Sequence, residues 1–288
     1  MLLCSPFLFL IIDFCHRNKL NQKQITKKMM IIALLTDFGN RDWFVGTMKG
    51  VILRINPNVE IVDISHDISP QNVHEAGFVL WNAYKYFPPK TIFVCVVDPG
   101  VGSERKIIAV ETREYIFIAP DNGLLDFVLS EVGVLKAVYV ENKNYFLEKV
   151  SSTFHGRDIF APVSAYISRG VDISELGSEF NIKKPEKMFI EIQGEGSYKG
   201  KVIYIDRFGN LITNLRASGE INGEVKFKGT TISKISRTYS DVGISEVVAL
   251  VDSSGLIEIG IRNGNAREFF KASYGDEVLV RVKKINIR

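Results

Sequence analysis

The sequence predicts an α/β protein in two parts. An amino-terminal α/β sandwich with a mostly parallel sheet comes first, and a carboxy-terminal antiparallel β-barrel domain follows. Three observations carry this. From residue 29 to about residue 180, short apolar runs alternate with amphipathic stretches at helical spacing, the order that builds strand–helix–strand crossovers. Near residue 183 a polar, glycine-bearing connection intervenes, KKPE and then QGEGSYKG. Beyond it, short runs alternate apolar and polar residues between Gly, Asn and Asp, the pattern of a small β-barrel or sandwich. The expected division is an extension outside the fold at 1–28, an α/β domain at 29–183, a linker at 184–198 and a barrel at 199–288.

Each element has its own reason. IIALLTD (31–37) is apolar up to its last two residues and reads as a buried strand. WFVGTMKGVILRIN follows as a helix, with Trp43, Val51 and Ile52 near one face, and Pro57 ends it. VEIVDIS (59–65) is the second strand. Ser69 then offers a hydroxyl cap and Pro70 a first helical residue, which predicts a helix running to the double proline at 88–89. TIFVCVVD (91–98) is a strand that ends on an acid. KIIAVET (106–112), EYIFIAP (114–120) and LKAVYVE (135–141) read as strands, and GLLDFVLSEVG (123–133) and DIFAPVSAYISRG (158–170) as helices. The second part reads as KVIYID, NLITNL, EVKFKG, TTISKIS, SEVVALVD, LIEIGI and DEVLVRVK, all strands and no helix.

Bulk properties narrow the function classes. The chain has 288 residues, 46% hydrophobic and 24% charged, which is ordinary for a globular protein. Net charge is +3, but residues 1–28 alone carry +4, so the rest of the chain is at −1. The body therefore has no basic footprint for nucleic acid. Three cysteines without a CxxC pair make neither a disulfide framework nor a thiol metal site, and this usage fits a reducing cytoplasm. MLLCSPFLFLIIDFC is apolar but too short for a membrane span, so an extension is expected there, with a weak membrane anchor as the alternative.

Working residues of parallel α/β sheets gather at the carboxyl ends of strands. Two strands here end in Asp, at Asp37 and Asp98, and each is soon followed by glycine. Either could simply cap its turn, since Asp accepts local backbone N–H bonds. Arg105 stands seven residues after Asp98. His155, in SSTFHGRD, has polar neighbours in Arg157 and Asp158, although a structural histidine is the plainer reading of spacing alone. His66 could line a site or cap a loop, and the loop is favoured. No HExxH spacing suggests a metal, GVGSER is not GxGxxG, and there is no GxSxG elbow. These residues describe an anionic cleft; they do not name a reaction.

The motif set does. TDFG (36–39), INPNVEIVDISHDI (55–68), DPGVGSER (98–105), APDNGLL (119–125), STFHGRDIFAP (152–162), DRFGN (206–210) and the later SSG and NGNA segments occur in one order. Together they closely resemble the S-adenosylmethionine (SAM) hydroxide adenosyltransferases, or SAM hydrolases, relatives of the fluorinase and chlorinase. The resemblance spans about residues 29–288. It implies an α/β domain and a β-barrel, a homotrimer with SAM bound between protomers, and conversion of SAM and water to adenosine and L-methionine. It implies no cofactor and no metal. By motif it places the catalytic trio at Asp98, Arg105 and His155. Asp37 would grip the ribose hydroxyls, Asp206 and Asn210 would lie near the methionine ammonium, and Ser253 would meet its carboxylate. The backbone from Ile261 to Asn263 would read adenine, with Phe208 packing in the same site, and His66 and Asn122 are lesser candidates.

Halogenases of the same resemblance carry Tyr at the positions of Asp98 and His155. An ionised Asp98 repels halide, which favours hydrolysis over a SAM-dependent halogenase. A SAM- or adenosine-binding sensor with little turnover is the other alternative. Gln71 departs from the pattern, standing where the fluorinase has a Trp that stacks on adenine.

Overall fold

In the computed structural model, residues 29–219 and 221–283 are described. The expected extension at 1–28 lies outside them. The first sheet has six strands: β1 (Ile31–Thr36), β2 (Glu60–Ser65), β3 (Ile92–Val96), β4 (Ile107–Thr112), β5 (Ile116–Pro120) and β6 (Val134–Tyr139), in the spatial order β2-β1-β3-β5-β4-β6. β2, β1, β3 and β5 pair in parallel, and β4 alone runs against its neighbours. The mostly parallel sheet is as expected.

Helices cover both faces. α1 (Phe44–Ile55) buries Val45, Met48 and Ile52 and packs with α4 (Ala161–Ser168) on one side of the sheet. α2 (Val73–Ala83) and the single turn α3 (Asp126–Leu129) cover the other side. β3 reads IFVCV and is buried throughout, which is what two covered faces require. Burial pushes the Cys95 thiol far above its ordinary range and leaves it inert.

The start of α2 differs from expectation. Its cap is Asn72, whose side chain accepts from Glu75 N, rather than Ser69. Gln71 sits at φ 64°, and that left-handed residue breaks any helix begun at Pro70.

The second sheet holds β7 (Ile190–Ile192), β8 (Gly196–Ile205), β9 (Leu211–Ala217), β10 (Gly223–Phe227), β11 (Thr230–Ile232), β12 (Ile235–Ser236), β13 (Val247–Val251), β14 (Leu256–Ile261) and β15 (Glu277–Val282). The path β11-β10-β15-β8-β9-β14-β13-β12 curls into a nearly closed barrel around Val202, Leu215, Val225, Phe227, Ile257 and Ile259. Most pairings are antiparallel. The short strands β7 and β12 pair in parallel with β9 and β13. The stretch 184–198 thus carries β7 and the first residues of β8. Two short helices in this part go beyond the sequence reading: a 3₁₀ turn at Tyr239–Asp241, and α5 (Ala266–Phe270), five residues capped by the Asn265 side chain.

The two sheets share a continuous apolar seam. Phe78 of α2 stacks on Tyr204 of β8 at 4.7 Å, and Trp81 meets Phe189 at 4.5 Å. Arg216 of β9 clasps across this seam. It donates to Glu131 at 2.5 Å and lies over the Phe189 ring at 4.0 Å.

Candidate functional site

Strand order reverses at β1: the chain moves outward to β2 and then returns to β3 on the other side. Such a switch point leaves a crevice beyond the carboxyl ends of the two central strands. Thr36 of β1 is level with Val96 of β3, so Asp37 and Asp98 emerge side by side at that crevice. A cavity of about 360 Å³ opens there, and its lining includes Asp37, Gln71, Asp98, Phe154 and His155.

Asp98 and Arg105 face each other across the turn that the sequence marks with Pro99, Gly100 and Gly102. Arg105 Nε donates to Asp98 Oδ1 at 2.9 Å and Nη2 donates to Oδ2, a two-point grip with both side chains nearly buried. A third donor, Nη1, is held by the Lys106 carbonyl at 2.9 Å. Gly102 has φ 77°, and a Cβ there would lie 2.3 Å from the Ser152 carbonyl oxygen. The Asp98–Arg105 turn therefore packs directly on the loop that carries His155.

That loop is fixed by Asp158, which is fully buried. Burial alone would raise its carboxyl, but Arg157 and the Ser151 backbone and hydroxyl hold it below its usual range. Ser151 N and Oγ donate to Asp158 Oδ2 at 2.8 and 2.7 Å. A π-turn at Gly156–Phe160 begins directly after His155 and leads into α4. Such turns recur where a side chain must be aimed off the regular helical path. Gly156 is closely packed, since a Cβ would meet the Met48, Phe38 and Phe154 side chains at 3.2–3.3 Å. His155 is held below its ordinary 6.5 by burial first and by the Arg105 charge second. Its Nδ1 is buried and meets no hydrogen-bond partner among the described residues. Burial and the Arg105 charge both favour the neutral ring.

Asp37 Oδ2 accepts the backbone N–H of Gln71 at 2.8 Å, which ties the β1 end to the left-handed turn before α2. Phe38, Phe44 and Phe154 form an aromatic wall, with rings 5.1 to 5.9 Å apart. Nothing in the spacing of the sequence marks these three as one surface. The lesser candidates stand back from the cavity. His66 is buried behind β1, with Nδ1 2.8 Å from Thr36 Oγ1 and Nε2 3.1 Å from Asp63 Oδ1. Asn122 accepts Leu124 N within its own turn and donates to the Val97 carbonyl, tying that turn to the end of β3.

The barrel-side candidates gather elsewhere. A second cavity, of about 420 Å³, is lined by Asp206, Tyr239, Asp252, Ser253 and Glu258 among others. No residue lines both cavities. Asp206 Oδ1 accepts Phe208 N at 2.9 Å and Asn210 N at 2.8 Å, and Oδ2 accepts Asn210 Nδ2 at 2.9 Å. Gly209, at φ 83°, packs against the Asn265 amide and closes this turn. Phe208 projects from it, 73% exposed. Asn210 is buried. Ile261 is buried and Asn263 sits in a left-handed turn at φ 57°, outside the lining of either cavity. The sequence reading missed Glu258 and Tyr239. Alternation in LIEIGI does place Glu258 on the same face as the apolar Leu256, a position where an acid is out of place.

Among the described residues, no group of three or more His, Cys, Asp or Glu side chains is arranged to hold a metal ion. Nor is any described helix long and apolar enough to cross a membrane.

The chain matches the family model of the SAM hydroxide adenosyltransferase N-terminal domain over residues 32–177 and that of the C-terminal domain over 200–279. It is 37% identical over 271 residues to a protein of Methanocaldococcus jannaschii named (R)-S-adenosyl-L-methionine hydrolase, covering 86% of this chain and 94% of the relative. A fluorinase of Nocardia brasiliensis is 27% identical over 294 residues, covering 88% and 97% of the two chains. A solved structure of a conserved protein from Thermotoga maritima superposes with a TM-score of 0.79 at 36% identity, covering 87% of this chain and 99% of that one.

Proposed function

Since the chain belongs to the SAM hydroxide adenosyltransferase family, we propose that it is an enzyme that hydrolyses S-adenosyl-L-methionine to adenosine and L-methionine, with Asp98, Arg105 and His155 as its catalytic residues. The observation that carries the residue assignment is the Asp98–Arg105 pair packed against the loop of His155 at the switch-point cavity.

The reaction is an in-line displacement. A water oxygen attacks the ribose C5′ carbon, the C5′–sulfur bond breaks, and its electron pair returns to sulfur as the neutral thioether of methionine. A sulfonium leaves readily and needs no general acid. The enzyme's work is to place the oxygen and take its proton, which is worth roughly 10²- to 10⁴-fold for the proton alone. His155 suits that task because it lines the cavity and its surroundings favour the neutral, proton-accepting ring. Asp98 has both oxygens engaged by Arg105, so it serves to hold the water and to stabilise the proton on His155. Asp37 would grip the ribose hydroxyls, since two O–H donors call for a carboxylate acceptor.

The barrel cavity then takes the methionine end, with Asp206 and Asn210 toward its ammonium and Ser253 toward its carboxylate. The backbone from Ile261 to Asn263 and the exposed Phe208 would face adenine. Within one chain the two cavities are separate. Both sets act on one substrate if the α/β cavity of one protomer is completed by the barrel of another, in a homotrimer. We place the enzyme in the cytoplasm and give it no cofactor and no nucleic-acid partner.

The test is to incubate the protein with SAM, with and without chloride, and to identify products by liquid chromatography with mass detection. Adenosine and methionine, indifferent to chloride and lost in Asp98→Ala, support the reading. A 5′-chloro-adenosine would make the protein a halogenase, and bound but unchanged SAM would make it a sensor.

A further inference from the structure

The barrel cavity contains a buried carboxyl that the reaction above does not use. Glu258 of β14 is 6% exposed, level with Leu250 of β13 and Ile212 of β9. A carboxyl in such apolar company is costly unless it is bonded. Its bonds lead in one direction. The Tyr239 hydroxyl donates to Glu258 Oε1. The oxygen of that hydroxyl accepts Asn210 Nδ2 at 3.3 Å, and the same amide donates to Asp206 Oδ2 at 2.9 Å. The two amide hydrogens of Asn210 thus serve one acceptor each. Gly260, two residues beyond Glu258, lets the chain close: a Cβ there would come 2.8 Å from Asn210 Oδ1 and 3.0 Å from the Tyr239 ring.

We propose that Glu258 is the positioning residue of the methionine subsite: by fixing the Tyr239 hydroxyl it orients Asn210, and through Asn210 it presents Asp206 to the substrate ammonium. This rests on the reading of the barrel cavity as that subsite. An ionised Glu258 can only accept, which holds the chain in this direction. A protonated carboxyl can also donate to the Tyr239 oxygen and turn its hydroxyl hydrogen away, so the direction is no longer fixed. The charged and titratable groups around it are Tyr239, Asp206, Asp252 and Arg237. Burial, with Asp252 and Asp206 adding to it against the Tyr239 bond, pushes Glu258 up to about 7. A substrate bearing a sulfonium and an ammonium favours the ionised form, so binding draws the proton off.

The experiment measures KM and kcat for SAM hydrolysis by wild type, Glu258→Gln and Tyr239→Phe, and in parallel the binding of L-methionine by calorimetry. The wild-type KM should rise about tenfold from pH 8 to pH 6, with kcat changing far less. Glu258→Gln keeps an acceptor for Tyr239 but cannot titrate. Its KM should be flat over that range and about three- to tenfold above the wild-type value at pH 8. Tyr239→Phe should raise KM by a similar factor. Methionine affinity should follow the same pattern. A Glu258→Gln enzyme with the wild-type KM and the wild-type pH slope would overturn the proposal, as would methionine binding indifferent to pH and to the substitution. A wild type that binds methionine with this slope yet never turns over SAM would overturn the hydrolase reading and leave the role of Glu258 standing.

Discussion

Arg105 holds Asp98 at two points, and the turn between them rests on the backbone of the loop that carries His155. One contact thus sets Asp98 and Arg105 in register with the loop of His155. Asp98→Asn keeps the shape and removes the charge. It should lower kcat by roughly 10²- to 10⁴-fold. Because it leaves a nearly buried guanidinium without its counter-charge, it should also cost about 3 kcal/mol of stability. Steady-state kinetics and denaturant melts check the two effects separately.

Gly102 is the hinge of that arrangement. A Cβ at Gly102 collides with the Ser152 carbonyl, and φ 77° strains any L side chain. Gly102→Ala should cost about 2–4 kcal/mol and push the Asp98 turn away from His155. We expect kcat to fall with little change in methionine binding, which the proposed reading assigns to the barrel. Equal loss of both would place the damage in the whole fold.

Glu258 makes the stability of the protein depend on pH in a defined sense. Its folded value is raised from 4.5 to about 7, so the fold favours the neutral carboxyl. The stability this contributes is full below pH 4.5 and is lost as pH rises through about 7. With allowance for screening by water in the cavity, the loss is about 2 kcal/mol. Glu258→Gln escapes it. The melting temperature of the variant should therefore gain on wild type between pH 4.5 and pH 8. Parallel curves across that range would contradict the assignment.

The proposal that a second protomer completes each site predicts complementation. Asp98→Asn and Asp206→Ala damage different cavities of one chain. Each alone should be nearly inactive. Unfolding and refolding the two together should return activity, because some interfaces then pair an intact α/β cavity with an intact barrel. Mixtures that stay inactive, while each variant assembles normally by light scattering, would contradict a shared site.

Much of the architecture was legible because hydrophobic period and turn residues act locally. The strands ending near Asp37 and Asp98, the helix after Trp43 and the change of pattern near residue 183 follow from such signals. The start of α2 was not legible, since a left-handed Gln71 held by Asp37 depends on a partner 34 residues away. The helix α5 was too short for its period to register. For the site, motif order brought out the polar residues. The aromatic wall of Phe38, Phe44 and Phe154 and the Glu258–Tyr239 pair arise only when distant strands converge. No spacing rule joins residues 38 and 154, or 239 and 258.

The most direct test of the central claim is hydrolysis of SAM in water enriched in oxygen-18, with mass analysis of both products. Attack of water on C5′ predicts one labelled oxygen in adenosine, at the 5′ position, and unlabelled methionine, with the signal lost in Asp98→Asn. Unlabelled adenosine, or label in methionine instead, would contradict displacement at C5′ by water held at Asp98, Arg105 and His155.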